Sequence, residues 1–331
     1  MRIVVDSAIP YIDPQICAAA EIVRISGAEI TAADVCDADA LIVRTRTRCD
    51  ARLLEGSNVR IVATATVGFD HIDTCWCSRM GIRVATASGC NARAVLQWVA
   101  AALVHLSRVQ GWRPEERTLG VVGVGNVGSL VSEYAREWGF RVLCCDPPRE
   151  AVGEHGFVSM EQIAAEADII TFHVPLDETT WHLADGNLLA ALAKHCTIIN
   201  SSRGEVVDGD ALLASGLPYA LDVWEKEPLL NRTLLEHALV ATPHIAGYSV
   251  QGKANATAMA LRAVAETLGI PQRDWYPCQA LPQSPRKIGW TELCATIDDY
   301  FDIAADTEYL KSHPFDFEQI RDNYQYRKEY F

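Results

Sequence analysis

The chain has no apolar run long enough to span a bilayer, no basic tail or stripe, no Cys-x-x-Cys pair, no internal repeat and no low-complexity tract. Each absence removes a class of function. Without some 20 consecutive apolar residues there is no transmembrane helix to expect. Cationic side chains are in deficit, with 29 Lys and Arg against 43 Asp and Glu and a net charge of -14. That balance argues against nucleic acid and anionic membranes as partners, while leaving room for a local basic pocket that holds a small anion. Eleven cysteines are present, an odd number without framework spacing. Cys75 and Cys77 stand one residue apart and Cys144 and Cys145 are adjacent, and neither pair has a downstream Cys or His pair to complete a zinc site. Reduced thiols and no metal are expected. The N-terminus opens directly on the strand-like Met1 to Val5, without a charged leader or an apolar signal core, which reads as cytoplasmic.

What is present describes an ordinary soluble globular protein, 49% hydrophobic and 22% charged. At 331 residues the chain exceeds what one core serves, since single cores stop growing near ~250–300 residues. Two or three domains are expected.

The most informative stretch is Gly123-Val124-Gly125-Asn126-Val127-Gly128. Before it, Thr118 to Val122 reads as a short buried strand. After it, Val127, Leu130, Val131, Tyr134, Ala135 and Trp138 fall on one helical face until Gly139. A second strand, Phe140 to Cys145, delivers Asp146, which is 146 minus 128, or 18, residues past the last glycine. Strand, glycine turn, helix and acidic residue in this register form a dinucleotide site: the turn brings a diphosphate onto bare backbone at a helix N-terminus, and the carboxylate accepts the ribose hydroxyls. A carboxylate there repels a 2'-phosphate, so the cofactor is expected to be NAD. Arg149, just past Pro147 and Pro148, is the one nearby group able to accommodate that phosphate instead.

Both halves of the chain follow an α/β rhythm. Residues 1–90 carry β-like runs at Ile3 to Val5, Leu41 to Val43, Ile61 to Thr64 and Arg83 to Ala85. Asn91 then precedes a long helix whose apolar stripe is Val95, Trp98, Val99, Ala102, Leu103 and Leu106. The second half continues through Ile169 to Phe172, Thr197 to Asn200, Tyr219 to Val223 and Leu239 to Thr242, and a helical stretch from Gly252 to Leu268 can return the chain to the first lobe. The expected architecture is two Rossmann-like or flavodoxin-like lobes with parallel sheets. Residues 1–90 with 252–280 would form one lobe and 91–251 the NAD-binding lobe, while 281–331, a marginal core alone, would pack on its own chain or on a second subunit. Prolines 271, 277, 282 and 285 mark the linker to that segment.

Three segments stand at ends of β-like runs and each offers a different chemical kind: Asn200-Ser201-Ser202-Arg203-Gly204, Asp222 to Pro228, and Thr242 to Tyr248. A guanidinium can clamp a carboxylate, an imidazole can take a hydroxyl proton, and a carboxylate can hold the imidazole in its working state. Oxidation of a hydroxy acid requires these three. In this the chain resembles the D-isomer-specific 2-hydroxyacid dehydrogenases, in which Arg, Glu and His occur in this order, matched here by Arg203, Glu227 and His244. The likeness extends over Ala40 to Thr45, Ala63 to His71, Gly89 to Ala92, Gly120 to Ser129, Cys145 to Arg149 and His244 to Ala254. Ser88, Gln97 and Val174 depart from the family's usual proline, glutamate and threonine.

The resemblance implies NAD-dependent oxidation of a phosphorylated 2-hydroxy acid, 4-phospho-D-erythronate, at C2, on the route to pyridoxal phosphate. It puts Val174, Ser201, Ser202, Asp222 and Gly247 along the cofactor, and Thr45, Thr66 and Tyr248 at the substrate. Arg44 and Arg46 are the nearest concentration of positive charge for the phosphate. His71 and His173 are expected to be structural or cofactor-lining. The resemblance also implies that 281–331 is a short C-terminal α+β dimerisation segment of a homodimer, although the C-terminus stops short of the family pattern. Two alternatives stay open: another hydroxyacid dehydrogenase, such as phosphoglycerate dehydrogenase, and an NADH-sensing protein of the corepressor kind.

Overall fold

The computed structural model describes residues 1–13, 19–280 and 285–331. Pro282 of the expected linker lies outside them. Two compact units emerge, one from Met1–Asn91 with Ser249–Gln283, the other from Ala92–Tyr248 with Ser284–Phe331.

The first unit is built on β1 (Arg2–Asp6), β2 (Glu21–Ile25), β3 (Ala40–Val43), β4 (Ile61–Thr64) and β5 (Arg83–Thr86). They form one parallel sheet in the order β2-β1-β3-β4-β5. Side chains alternate between its faces, so Ile3, Val5, Ile42, Ile61 and Ala63 pack under the Val250–Leu268 helix, while Val4, Leu41, Val43 and Val62 fill the opposite core. Both faces being covered, the central strands are continuous apolar runs without a polar side. The strand β2, with Glu21 and Arg24 on the sheet edge, carries no such run, and its mixed composition hides it from a reading by hydrophobicity.

The second unit holds β6 (Thr118–Val122), β7 (Arg141–Cys145), β8 (Ile169–Phe172), β9 (Thr197–Asn200), β10 (Tyr219–Leu221) and β11 (Val240–Ala241), all parallel, in the order β11-β10-β9-β8-β6-β7. Leu119, Val121, Ile169 and Ile199 face a core shared with the Ala92–Gln110 helix, and Val122, Ile170, Phe172 and Ile198 face the other. The sequence order reverses between β6 and β8, and ligands in sheets of this kind bind beyond the strand ends at such a point. Among the described residues no helix is long and apolar enough to cross a membrane.

The described part of the C-terminal segment, residues 285–331, packs within this second unit and is helical, at Trp290–Thr296, Ile303–Ser312 and Phe317–Asp322, with no strand among its described residues. Its strand content, expected from the likeness, is therefore not found. The cause is the period of its buried positions, Leu293 with Ile297 and Ile303 with Thr307 and Leu310, which a helix puts on one face. Trp290 and Phe331 complete an aromatic cluster with Trp112, Tyr134, Trp138 and Phe140, with centroids 5.0–6.3 Å apart across the contacts with Trp290 and Phe331. Trp138 Nε1 and Tyr134 Oη donate to the carbonyls of Ile288 and Arg286, at 2.9 and 2.8 Å.

Leu293 is fully buried beneath this cluster. Leu293→Ala is expected to cost about 2–5 kcal/mol of the second unit's stability. Urea denaturation followed by tryptophan emission measures it; a loss below about 1 kcal/mol would mean that the segment contributes little to that core.

Candidate active site

The glycine turn lies at the end of β6, on the point where strand order reverses. Gly123 sits at φ +84°, a conformation that side chains with a Cβ avoid, and a Cβ there would stand 2.8 Å from the His173 backbone and from Val174. At Gly128 a Cβ would stand 1.9 Å from the carbonyl oxygen of Gly123, so helix and turn approach as closely as they do only because residue 128 is glycine. Gly125, the N-cap of the Asn126–Trp138 helix, is the opposite case, exposed with nothing within 4 Å of a Cβ. Asn126 is exposed beside it and Val127 half-buried. Open space, bare backbone and a 13-residue helix N-terminus together fit a diphosphate.

Asp146 stands at the end of the neighbouring β7. Its carboxylate accepts N–H groups from Val124 at 2.7 Å and Arg149 at 3.1 Å, which fixes it beside the turn and leaves further lone pairs for ribose hydroxyls. The Arg149 guanidinium is committed elsewhere, to Glu154 (Nε–Oε2 3.0 Å) and the Val124 carbonyl, with its face over Phe157. Val174 borders the turn from β8, and Ser201 from β9 keeps a shielded hydroxyl with no partner among the described residues. Ser202 is buried, and both its N–H and its hydroxyl donate to Asn200 Oδ1. Burial lowers the basicity of His173, whose Nε2 meets Thr171 Oγ1 at 3.0 Å.

The ordered Arg, Glu and His follow three consecutive neighbours in the sheet. Arg203 comes after β9, Glu227 after β10 and His244 after β11. His244 Nδ1 and Glu227 Oε2 are 2.8 Å apart. A carboxylate can only accept, so Nδ1 carries the proton and Nε2 is the nitrogen left to exchange one. The other oxygen of Glu227 accepts the Trp224 N–H at 2.9 Å, which orients the carboxylate, and Arg321 Nη1 approaches Oε2 to 3.9 Å. Arg203 Nη1 donates to the carbonyl of Ser202 at 2.7 Å, while Asn200 Nδ2 donates to the Arg203 carbonyl at 2.8 Å and fixes its backbone.

Asp222 is 1% exposed, and its carboxylate accepts from Thr242 Oγ1 (2.6 Å), Ile245 N (2.8 Å) and Ala246 N (2.9 Å). Burial pushes its pKa upward against the pull of His244 and these donors. Trp98 Nε1 donates to the same Thr242 hydroxyl, and Trp224 Nε1 to the Thr242 carbonyl. The carboxylate is thus engaged in holding the loop that carries His244, Gly247 and Tyr248. Thr242, Trp98 and Trp224 belong to this arrangement although no motif spacing marks them. Tyr248 packs edge-on against Tyr324 and Tyr326, at 6.3 and 5.9 Å.

In the first unit, Arg44, Thr45 and Arg46 follow β3 and Thr66 follows its neighbour β4, so the four share one edge of the sheet. Arg44 Nη1 donates to the Ala8 carbonyl beyond β1 at 3.3 Å, at the reversal of strand order in this sheet. The Thr66 hydroxyl lies 2.7 Å from that of Thr64 and donates to the Gly68 carbonyl at 2.8 Å. Thr64 Oγ1 also meets His71 Nε2 at 3.2 Å, and burial lowers the basicity of that imidazole.

The chain is similar to known proteins of one family. The family model described as D-isomer specific 2-hydroxyacid dehydrogenase, NAD binding domain, matches residues 91–246. An erythronate-4-phosphate dehydrogenase of Bacteroides thetaiotaomicron is 45% identical over 99% of this chain and 97% of its own length, so the C-terminal segment lies within the aligned part. One from Cronobacter sakazakii is 39% identical, covering 100% of this chain and 92% of that protein. Among solved structures, NAD-bound 3-phosphoglycerate dehydrogenase of Entamoeba histolytica superposes with a TM-score of 0.69 at 25% identity, over 81% of this chain and 95% of that one.

Gly128→Ala is expected to weaken NADH binding at least roughly tenfold, because a Cβ forced against a backbone carbonyl must open the turn that receives the diphosphate. NADH fluorescence titration reads this directly, and an unaltered dissociation constant would separate the turn from the binding site.

Proposed function

The chain belongs to the D-isomer-specific 2-hydroxyacid dehydrogenases and, within them, to the erythronate-4-phosphate dehydrogenases, and from that premise we propose that it oxidises 4-phospho-D-erythronate at C2 to the 2-oxo acid, a step toward pyridoxal 5'-phosphate. The cofactor is NAD, which when bound accepts the hydride. The single observation that carries the reading is the Glu227–His244 pair, at 2.8 Å beyond adjacent strands of the same unit as the glycine turn.

The chemistry follows from what the residues can do. An alcohol releases hydride readily only as negative charge builds on its oxygen, so His244 Nε2 takes the hydroxyl proton as general base. The C2–H bond then breaks with its electron pair leaving as hydride, and the C2–O bond becomes a carbonyl. Glu227 stabilises the imidazolium that forms and keeps the ring in its working tautomer. Arg203 grips the substrate carboxylate and the developing oxyanion with a planar fork that lysine lacks. Gly123 to Gly128 and the helix they open receive the diphosphate, Asp146 takes the adenosine ribose hydroxyls, and Val174, Ser201, Ser202, Asp222 and Gly247 complete the cofactor's surroundings. Arg44 and Arg46 of the first unit are assigned to the phosphate of the substrate, and Thr45 and Thr66 of that unit and Tyr248 of the second to other substrate contacts.

We further propose a cytoplasmic homodimer. The ten cysteines among the described residues are free thiols, which suits a reducing compartment. Tyr300, Tyr309 and Phe315 of the C-terminal segment are exposed large apolar groups suited to a second copy. Light scattering that returned only the monomer mass would remove the dimer.

Purified protein with NAD and 4-phospho-D-erythronate, followed by NADH absorbance with a 2-oxo acid acceptor in a parallel run, tests the reaction; a higher kcat/KM for 3-phosphoglycerate would reassign the substrate. In the same assay His244→Asn is expected to lower kcat by roughly 10²–10⁴-fold, the share a general base supplies. Arg44→Ala should raise KM far more than it lowers kcat, because a remote phosphate contact is made equally in ground and transition states. An unchanged KM would remove Arg44 from the phosphate.

A further inference from the structure

We propose that Arg327, in the C-terminal segment, is a positioning residue for His244, clamping the carbonyls of the two residues that follow the histidine so that the imidazole is presented at a fixed height. The inference rests on the reading of His244 as the base.

His244 sits at φ +58°, in the left-handed region that a residue with a Cβ occupies at a cost of about 1–3 kcal/mol. Such a conformation persists only where its surroundings impose it. Here they do so from both polarities of the backbone. On one side the buried Asp222 carboxylate takes the N–H groups of Ile245 and Ala246. On the other, Arg327, 7% exposed, donates Nη1 to the Ile245 carbonyl at 2.9 Å and Nη2 to the carbonyls of Ala246 and, at 3.0 Å, Ala94. The guanidinium lies over the Phe301 ring, 4.3 Å from its centroid, which fixes the plane of the fork. Two successive residues are therefore held by a buried anion through their N–H groups and by a buried cation through their carbonyls.

A buried cation on carbonyl groups is a poor source of stability, since an apolar side chain of the same volume would avoid its desolvation. What the guanidinium adds is direction. Three carbonyls addressed from one plane define the position of the loop, and an ammonium cannot reproduce that geometry. The same stretch of chain borders the rest of the site: Tyr324 and Tyr326 pack on Tyr248, and Arg321 approaches Glu227. The C-terminal segment thus contacts both the loop that carries His244 and the carboxylate that meets it.

The test compares full-length Arg327→Met, Arg327→Lys and His244→Asn in the NAD and 4-phospho-D-erythronate assay, with NADH dissociation constants and melting temperatures measured beside it. Arg327→Met should lower kcat on the order of 10²-fold, as a displacement of about 1 Å does, with substrate KM and NADH affinity within about threefold. Arg327→Lys should fall between, folded but several-fold slower, and it carries the test on the same criteria should the methionine variant fail to fold. A folded variant with kcat within about twofold of the parent overturns the proposal, and so does a loss of kcat that NADH affinity and melting temperature follow in proportion. A fully active His244→Asn sinks the base assignment and this proposal with it, whereas an inactive His244→Asn beside a fully active Arg327→Met sinks this proposal alone.

Discussion

The arrangement turns on one buried carboxylate. Asp222, 1% exposed at the end of β10, is tolerated there only because Thr242, Ile245 and Ala246 surround it with donors. Meeting that demand folds the chain after β11 around the carboxylate, and the carbonyl of the same residue accepts the His244 N–H at 2.7 Å. The backbone of His244 is therefore anchored at the end of β10, and so is the start of the loop bearing Glu227, five residues past Asp222. His244 and Glu227 meet at 2.8 Å because both are tied to one strand end. Their separation is a property of the sheet more than of either loop.

The sheet imposes a second constraint. Parallel strands send all their C-terminal ends to one edge, so β6 to β11 bring the glycine turn, Asp146, Val174, Ser201, Arg203, Glu227 and His244 to the same side of the unit. Within that edge the order of strands assigns the chemistry. Those on one side of the reversal, β6 and β7, present backbone N–H groups and a carboxylate suited to diphosphate and ribose. Those on the other, β9 to β11, present a guanidinium, a second carboxylate and an imidazole. The strand order keeps these two kinds of group apart, and β8 with Val174 and His173 separates them.

Much of this was legible in the residues because parallel-sheet strands announce themselves. Leu41-Ile42-Val43 and Ile61-Val62 are apolar on both faces, and the turns after the nucleotide-unit strands carry the glycines and charged residues that chemistry needs. The edge strand Glu21–Ile25 was not legible, since Glu21 and Arg24 break the run that burial would have enforced. Asp222 was expected along the cofactor on resemblance alone. That its two oxygens serve the His244 loop depends on contacts with residues 20 to 24 positions away, which no local spacing records. Arg321 and Arg327 went unnoticed for the same reason: in an acidic, aromatic tail an arginine reads as a solubilising charge until the tertiary structure supplies carbonyls to receive it.

That tail raises the question of why a dehydrogenase unit needs residues beyond its sheet. The segment is fixed in two ways, by aromatic packing, where Trp290 near its start and Phe331 at its end close the cluster around Trp112 and Trp138, and by polar contacts, where Arg327 meets the loop after β11. The first kind of contact is strong and tolerant of small shifts, because apolar burial has no preferred direction. The second is weak in net energy and intolerant of shifts, because a hydrogen bond loses its strength over a few tenths of an ångström and tens of degrees. A strained histidine needs both, adhesion to keep the segment in place and direction to transmit that placement to one backbone turn. Removing the aromatic anchors would release the arginine with them, whereas removing the arginine would leave the segment docked and the loop held only through Asp222.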